Sequence, residues 1–247
     1  MNRNYKLVIE YDGSRYKGWQ SQKSTDVTIQ GKLNSVFSQL EGKPVEVQGS
    51  GRTDAGVHAA GQVANVHLTV EKTLQEIQDY ANHYLPEDIG IVKIEEVPER
   101  FHARFSTVKK TYFYRIFNSG ESNVFGRKWM YSIPKPLDVA AMRQGALYLE
   151  GTHDFKAFCS RSSKKKSSVR TIYQIEIVRD GKEVDVIITG DGFLHNMVRI
   201  ITGTLVEIGL GKRKPLDIVW ILEEGARENA GITMPAKGLI LRNVEYM

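Results

Sequence analysis

Gly49-Ser50-Gly51-Arg52-Thr53-Asp54-Ala55-Gly56-Val57-His58-Ala59-Ala60-Gly61 is the most informative stretch of this sequence. It is rich in glycine and lies between two segments in which apolar and polar residues alternate, so we predict a long loop between two β-strands. Within a few residues the loop carries a guanidinium, a carboxylate and an imidazole, on Arg52, Asp54 and His58. Composition alone is also satisfied by a hairpin loop in which Asp54 caps backbone amides and pairs with Arg52.

The segments on either side of this loop predict one α+β half. Apolar residues alternate in the strand segments and recur at helical spacing in the helix segments. The predicted elements are a strand at 5–11, a helix at 28–41, a strand around Val45 and Val47, a strand at 63–68, a helix from Leu74 that ends before Pro86, and a strand at 89–97. This order, β-α-β-β-α-β, is the ferredoxin-like arrangement.

The second half of the chain shows the same pattern, although no residue-level repeat is visible. The predicted elements are a strand at 112–117, a helix at 139–149, a hairpin of strands at 172–178 and 184–189, a helix at 197–208, a shorter helix after Pro215, and a strand at 239–244. We therefore predict an α+β fold of two ferredoxin-like βαββαβ halves, residues 1–105 and 106–247. The antiparallel or mixed sheets of the two halves are expected to join around a central cleft.

Composition excludes several classes of protein. The chain has 247 residues, of which 41% are hydrophobic and 26% charged, as is typical of a folded globular protein. No apolar stretch approaches the roughly 18 residues that span a membrane, and the first residues do not resemble a signal peptide, so we expect a cytoplasmic protein. Cys159 is the only cysteine, and the sequence has no P-loop and no cluster of metal-ligand residues, so neither a metal nor another cofactor is expected.

The cations of this chain are grouped, and the formal net charge is +5. Two small groups lie at 109–110 and 212–214, and a larger group without any acid lies at 160–170. The larger group contains Arg161, Lys164, Lys165, Lys166 and Arg170. Each group alone is also explained as a solvated loop, but three groups together favour a polyanionic partner.

Residues 51–59 closely resemble the signature of the tRNA pseudouridine synthase A family. Further stretches resemble other motifs of this family, and they occur in the order in which the family has them. They are Glu10-Tyr11-Asp12-Gly13-Ser14 with Tyr16, Gly18, Trp19 and Gln20; Phe101-His102-Ala103-Arg104-Phe105-Ser106 with Lys110, Tyr112 and Tyr114; Phe193-Leu194-His195-Asn196-Met197-Val198-Arg199 with Gly203; and Gly238-Leu239 with Leu241.

This resemblance implies the pseudouridine synthase fold and an isomerase that converts uridine to pseudouridine in RNA without a cofactor. It also implies a homodimer whose basic clefts hold the anticodon stem-loop of tRNA, with uridines 38, 39 and 40 in tRNA numbering as targets. The functional residues that it implies are Asp54 as nucleophile, Tyr112 stacked on the target base, Arg199 facing the aspartate, and Arg52 assisting nucleotide flipping. His58 and lysines 164–166 are further candidate contacts to the RNA.

The chemistry of this reaction agrees with the residue types present. Breaking the N1–C1′ bond, turning the uracil and rejoining it through C5 is redox-neutral and requires a nucleophile or a charge stabiliser, which an ionised aspartate can be. A guanidinium keeps such a carboxylate charged, and a tyrosine offers both a stacking face and a hydroxyl for the C5 proton. The base must leave its stack to react, which requires a flipping residue and a basic track for the backbone. Without the motifs, Tyr112 would be a core aromatic residue and Arg199 a solvent-facing helix residue.

Other interpretations of the same sequence stay open at this point. Another structured RNA is an alternative substrate, and a catalytically silent RNA-binding module is an alternative function, although Asp54 is intact. A phosphate-handling metalloenzyme that uses Asp54 and His58 is disfavoured, because no second cluster of carboxylates is present. The loops at 119–127 and 160–170 are expected to contact the substrate and to influence which uridine is modified.

Overall fold

The computed structural model describes residues 2–160 and 167–247 of the chain. In these residues the fold is mixed α+β, as predicted, with ten strands and five α-helices. The strands are β1 (Arg3–Tyr11), β2 (Gln48–Gly49), β3 (His58–Leu68), β4 (Ile89–Val97), β5 (Thr107–Phe117), β6 (Tyr131–Ser132), β7 (Gly151–Asp154), β8 (Val169–Asp180), β9 (Glu183–Gly190) and β10 (Leu239–Tyr246). The α-helices are α1 (Ile29–Glu41), α2 (Leu74–Tyr84), α3 (Val139–Leu147), α4 (Met197–Gly209) and α5 (Asp217–Glu224). None of these helices is long and apolar enough to cross a membrane.

The chain divides into two compact units. The first unit contains the residues up to Val108 together with Ile240–Met247, and the second unit contains Lys109–Leu239. We expected a division after residue 105 that placed the last strand in the second half. Residues 240–246 lie with the first unit instead, because β10 pairs in parallel with β3, where Ile240 is opposite His58. The first unit is therefore built from two stretches that are far apart in the sequence.

The first unit carries the predicted order β-α-β-β-α-β. Its sheet contains the antiparallel strand order β4-β1-β3, and β2 and β10 also pair with β3. Helix α1 begins after Thr28, whose side chain accepts a hydrogen bond from the Gly31 N–H, and it ends at Gly42 in the left-handed conformation. Helix α2 begins with a capping box formed by Thr73 and Glu76. Each helix buries an apolar stripe, and these stripes form part of the hydrophobic core of the first unit.

The second strand of the first unit is shorter than predicted. We expected a strand around Val45 and Val47, but the strand contains only Gln48–Gly49. The Val45 N–H donates a hydrogen bond to Ser38 Oγ, and the Val47 N–H donates one to Asn34 Oδ1, both at 2.8 Å. These backbone donors therefore bind side chains of α1 and are not available to a neighbouring strand.

The second unit contains a sheet in the order β5-β9-β8-β7, with antiparallel neighbours, and the short β6 lies parallel to β5. The predicted hairpin of β8 and β9 is confirmed, and it turns at Gly181, whose φ is 54°. Helix α3 begins after Asp138, whose carboxylate accepts a hydrogen bond from the Ala141 N–H. Helix α4 is buried over most of its length and packs against α3. The sequence prediction missed β6 and β7, which have only two and four residues.

Candidate active site

Asp54 occupies the first position of a tight turn. Its carbonyl oxygen accepts a hydrogen bond from the Val57 N–H at 3.1 Å, and Gly56 has a φ of 78°. A positive φ at the third residue is typical of a type II turn, and glycine adopts it without the strain that a side chain would cause. The turn fixes the backbone from which the half-buried Asp54 carboxylate projects.

The residue before this turn is bonded to the segment at 11–19. Thr53 Oγ1 shares a hydrogen bond of 2.8 Å with the Tyr11 hydroxyl, and the Thr53 carbonyl accepts one of 3.0 Å from the Trp19 N–H. Tyr11 and Trp19 are both buried, so these bonds are shielded from water. Burial raises the pKa of Tyr11 to about 12, against the opposing effect of the Thr53 hydrogen bond, so the hydroxyl is neutral at physiological pH. Two of the predicted motifs therefore form a single structure.

The residue after the turn, His58, is the first residue of β3 and is only 2% exposed. Its Nδ1 accepts a hydrogen bond of 3.0 Å from the Gly13 N–H, and a carboxylate oxygen of Asp12 lies 3.2 Å from the same nitrogen. Glycine is required at position 13, because a Cβ atom there would lie 1.9 Å from the Val57 carbonyl oxygen. We expected His58 in a loop and in contact with RNA. The structure places it instead in β3, where protein encloses its side chain.

Arg52 lies near the start of the same loop, and its side chain is exposed. The backbone beside it is anchored by Gln62 of β3, whose Oε1 accepts a hydrogen bond of 2.7 Å from Ser50 Oγ and whose Nε2 donates one of 3.2 Å to the Gly51 carbonyl. Ser50 and Gln62 are completely buried. The loop therefore presents an arginine to solvent from an anchored backbone, as a residue that displaces a nucleotide requires.

Tyr112 lies in β5 of the second unit, opposite Ile188 of β9, and is 9% exposed. Phe193 packs edge-to-face with its ring, with centroids 5.2 Å apart and ring planes at 84°. This contact sets the plane of the tyrosine ring. A base that stacks on Tyr112 therefore meets a surface of defined orientation.

Arg199 lies in the first turn of α4 and is held by two acceptors of the second unit. Its Nε donates a hydrogen bond to the Met234 carbonyl, and its Nη1 donates one to Asn196 Oδ1 at 2.8 Å. In the part of the chain that the structure describes, Asn196 is the only non-glycine residue with a positive φ. The alternative interpretation placed Arg199 in solvent, but Arg199 is half-buried, whereas the nearby His195 is exposed. Protein groups therefore orient the guanidinium.

The surroundings of Tyr114 indicate which face of the second unit's sheet carries Arg199. The Tyr114 hydroxyl donates a hydrogen bond of 2.8 Å to the Pro235 carbonyl. Burial raises the pKa of Tyr114 far above its usual value, and the nearby charge of Arg199 opposes that rise. Tyr112 and Tyr114 are two residues apart in one strand, so their side chains project from the same face. Tyr112 and Arg199 therefore belong to the same side of this sheet.

The predicted basic groups have different environments. Lysines 164–166 lie outside the described residues. Arg213 serves the fold, because it donates hydrogen bonds to the Glu207 carboxylate and to a backbone carbonyl, whereas Lys212 and Lys214 are exposed. Among the residues with a described position, no group of His, Cys, Asp or Glu side chains is placed to hold a metal ion.

Residues 7–106 and 146–247 match the family model described as tRNA pseudouridine synthase. The chain belongs to this family. The resemblance predicted from the motifs is therefore confirmed, and the enzyme is an isomerase that converts uridine in tRNA to pseudouridine. Asp54 and Arg199 lie inside the matched segments of the synthase, and Tyr112 lies between those segments.

Relatives match the synthase over almost its whole length. It is 47% identical over 243 residues to tRNA pseudouridine synthase A 2 of Bacillus cereus (strain ZK / E33L), and the alignment covers 98% of this chain and 99% of the relative. It is 45% identical over 244 residues to tRNA pseudouridine synthase A 1 of Clostridium tetani (strain Massachusetts / E88), and this alignment covers 99% of this chain and 100% of the relative. A chain in the crystal structure of a Cbf5-Nop10-Gar1 complex is similar at 13% identity over 82% of this chain and 45% of that chain, with a TM-score of 0.38. The sequence relatives, and not this structural likeness, support the family assignment.

Sequence reasoning assigned no role to three residues that order the candidate residues of the synthase. Tyr11, Asn196 and Phe193 all lie in the quoted motifs, but only the structure shows that they contact Thr53, Arg199 and Tyr112, respectively. A signal was present for Asn196, since asparagine adopts the left-handed conformation more readily than other residues with a side chain. No pattern in the sequence distinguishes Tyr11 or Phe193 from the other aromatic residues.

Proposed function

We propose that this synthase acts on the anticodon stem-loop of tRNA, at uridines 38, 39 and 40, with Asp54 as its nucleophile. The choice of substrate rests on the resemblance of the motifs and on relatives named tRNA pseudouridine synthase A. The observation that carries the choice of nucleophile is the turn at residues 54–57, which presents a carboxylate from a backbone anchored on both sides. Covalent chemistry requires such close placement of the reacting atoms.

The proposed reaction keeps every atom of the base. The ionised Asp54 carboxylate bonds to the sugar or to the ring as the N1–C1′ bond breaks. The freed uracil turns, C5 bonds to C1′, and the bond to Asp54 breaks. The C5 proton leaves and N1 takes up a proton, so the product is an isomer of the substrate and no electrons are gained or lost.

Tyr112 and Arg199 complete the proposed chemistry. The Tyr112 ring retains the freed uracil by stacking. The Tyr112 oxygen accepts the C5 proton as the hydroxyl gives up its own proton, so the tyrosine ends the reaction neutral while N1 becomes protonated. The Arg199 guanidinium stabilises the negative charge of the nucleophile, as the resemblance implies. Support for these roles comes from the contacts of Phe193 with Tyr112 and of Asn196 with Arg199, because each contact limits the movement of the side chain.

The remaining residues are proposed to handle the RNA. The exposed Arg52 enters the stem as the target nucleotide flips out, and Lys164, Lys165 and Lys166 contact phosphate groups. The resemblance also implies a homodimer in the cytoplasm, and both belong to this proposal. Sedimentation velocity of the purified chain tests the dimer, which would be contradicted by a monomer at micromolar concentration.

The nucleophile is tested by comparing Asp54→Asn with the surface variant Asp79→Asn. Asparagine keeps the shape of the side chain and removes its charge, so we expect no pseudouridine in a single-turnover assay with enzyme in excess. Affinity for the stem-loop should change by less than about tenfold. Asp79 is exposed on α2, and its variant should match the wild type. Pseudouridine formation by pure Asp54→Asn at a rate near that of the wild type would contradict the proposal.

The substrate is tested by mapping pseudouridine across all RNA of cells with and without this gene. We expect losses only at tRNA positions 38, 39 and 40. Losses in another structured RNA, with those three positions unchanged, would show that the proposed substrate is wrong while leaving the chemistry of Asp54 intact.

A further inference from the structure

Both ends of the Asp54 turn are bonded to one segment of the first unit, residues 11–19. At one end the Tyr11 hydroxyl meets Thr53 Oγ1 at 2.8 Å, and at the other end the Gly13 N–H meets His58 Nδ1 at 3.0 Å. These two bonds involve side chains and add to the backbone pairing of β1 with β3. The turn is therefore held at two points that flank the candidate nucleophile.

The side chains that make these bonds are enclosed by protein. Tyr11 is 4% exposed, Thr53 7% and His58 2%. At an exposed position water would replace a lost partner, but at these positions a lost partner leaves a buried polar group without compensation. Loss of either bond therefore removes a restraint from the turn that solvent does not restore.

The bond from Gly13 is made to a specific atom of the His58 ring. Because a backbone N–H only donates, Nδ1 is the acceptor of this bond. An asparagine at this position carries its Oδ1 close to the place of Nδ1 and accepts the same bond. A leucine fills a similar volume and offers no acceptor. Comparing the two substitutions therefore separates a bonding role of His58 from a packing role.

We propose that Tyr11 and His58 are positioning residues, which hold the Asp54 carboxylate at the reacting atoms by fastening the two ends of its turn. The inference rests on the proposed role of Asp54 and extends it to two buried residues that do not touch the substrate. A displacement of about 1 Å can lower the rate of a reaction about 10²-fold. Loss of either bond is therefore expected to slow the chemical step without weakening the binding of RNA.

The experiment compares His58→Asn, His58→Leu and Tyr11→Phe with the wild type. His67→Asn is the matched control, since His67 lies in the same strand, is partly exposed and faces Glu99. Each variant is assayed for single-turnover pseudouridine formation on an anticodon stem-loop, for affinity to that stem-loop, and for thermal unfolding. We expect His58→Leu and Tyr11→Phe to slow the single turnover by about 10- to 100-fold at nearly unchanged Kd. His58→Asn should recover most of the rate, and His67→Asn should match the wild type.

Two results would overturn the proposal. One is a wild-type rate in folded His58→Leu or Tyr11→Phe. The other is an equal loss in His58→Asn and His58→Leu, which would show that the volume of the side chain matters and the bond does not. If His58→Leu fails to fold, the other two variants still test the proposal. Tyr11→Phe removes a single oxygen atom, and His58→Asn keeps the hydrogen-bond acceptor. A wrong assignment of the nucleophile is recognised separately, because Asp54→Asn would then remain active.

Discussion

Asn196 accepts a hydrogen bond from Arg199 through its side-chain oxygen at 2.8 Å, and it does so from a left-handed backbone with φ 61° and ψ 9°. Its amide nitrogen donates to Ser160 Oγ at 3.0 Å. Asparagine just before a helix usually caps the free N–H groups of the first turn, but this side chain makes no such bond. The Asn196 side chain therefore orients Arg199 and does not cap the start of α4.

Comparing Asn196→Gly with Asn196→Ala separates the backbone conformation from the hydrogen bond. Glycine adopts the left-handed conformation freely, so Asn196→Gly should keep the stability of the protein and lower the single-turnover rate. Asn196→Ala should lower the rate similarly and also cost about 1 kcal/mol of unfolding free energy, measured by urea denaturation. The control is Gly42→Ala, at φ 75° far from Arg199 in sequence, which should lose stability and keep its rate. Full activity of Asn196→Gly would show that the bond does not orient the arginine.

Substitutions of Tyr112 distinguish proton transfer from stacking. Tyr112→Phe keeps the ring against Phe193 and removes the hydroxyl, so we expect a rate lower by about 10² to 10⁴-fold with RNA binding intact. Tyr112→Leu should lose the rate and also part of the affinity, since stacking contributes about 1–3 kcal/mol per base. Tyr173→Phe, at an exposed position of β8, is the control. A Tyr112→Phe rate within about threefold of the wild type, by single-turnover assay, would leave Tyr112 as a stacking surface only.

Replacing Lys164, Lys165 and Lys166 with alanine should weaken the binding of RNA and flatten its dependence on salt. Each lost phosphate contact is expected to lower the slope of log K against log salt by somewhat less than about one. Removing charge at Lys43 and Lys93 is the control, because both lysines already pair with glutamates and should contribute little to the slope. Anisotropy titrations at several salt concentrations measure the slope. An unchanged slope in the triple variant would identify the segment as a solvated loop.

Stability should fall as the pH rises from about 10 to 12. Burial raises the pKa of Tyr11 to about 12, so the folded state binds this proton more tightly than the unfolded state does. The stabilisation is therefore complete below pH 10 and is lost as the pH approaches 12, with roughly 3 kcal/mol at stake for Tyr11. Tyr16 and Tyr246 shift in the same direction, so Tyr11→Phe should flatten the loss without abolishing it. Urea denaturation at each pH checks this, with the exposed Tyr173→Phe as a control that keeps the wild-type slope.

The main elements of the fold were predictable because their causes are local. Helix α2 is predicted by the capping box at Thr73 and by its apolar stripe, both of which are visible within a few residues of the sequence. The error at β2 has a cause that is not local in the strand, because Ser38 and Asn34 of α1 take the backbone donors of the expected strand. Strands β6 and β7 are too short for alternation to appear in the sequence.

The sequence predicted the chemical groups of the candidate site, but it did not predict the contacts that hold those groups in place. The motif, which specifies residue types and spacing, made Arg52 and Asp54 candidates. The burial of His58 depends on Gly13, which lies 45 residues earlier in the chain, and nothing in the local pattern distinguishes an enclosed histidine from one in an open loop. The burial of His58 therefore results from packing between distant segments, which a local sequence pattern does not show.

Strand β10 makes the sheet of the first unit depend on residues that are synthesised after the second unit. Ile240 pairs beside His58, and the Tyr246 hydroxyl donates to the Ala103 carbonyl, a residue 143 positions earlier. Contacts between such distant positions form late, after the whole second unit has left the ribosome. A chain that terminates early therefore carries the Asp54 segment on an unfinished sheet. We expect fragments that lack β10 to be inactive and open to proteolysis, so that only chains that include β10 modify tRNA.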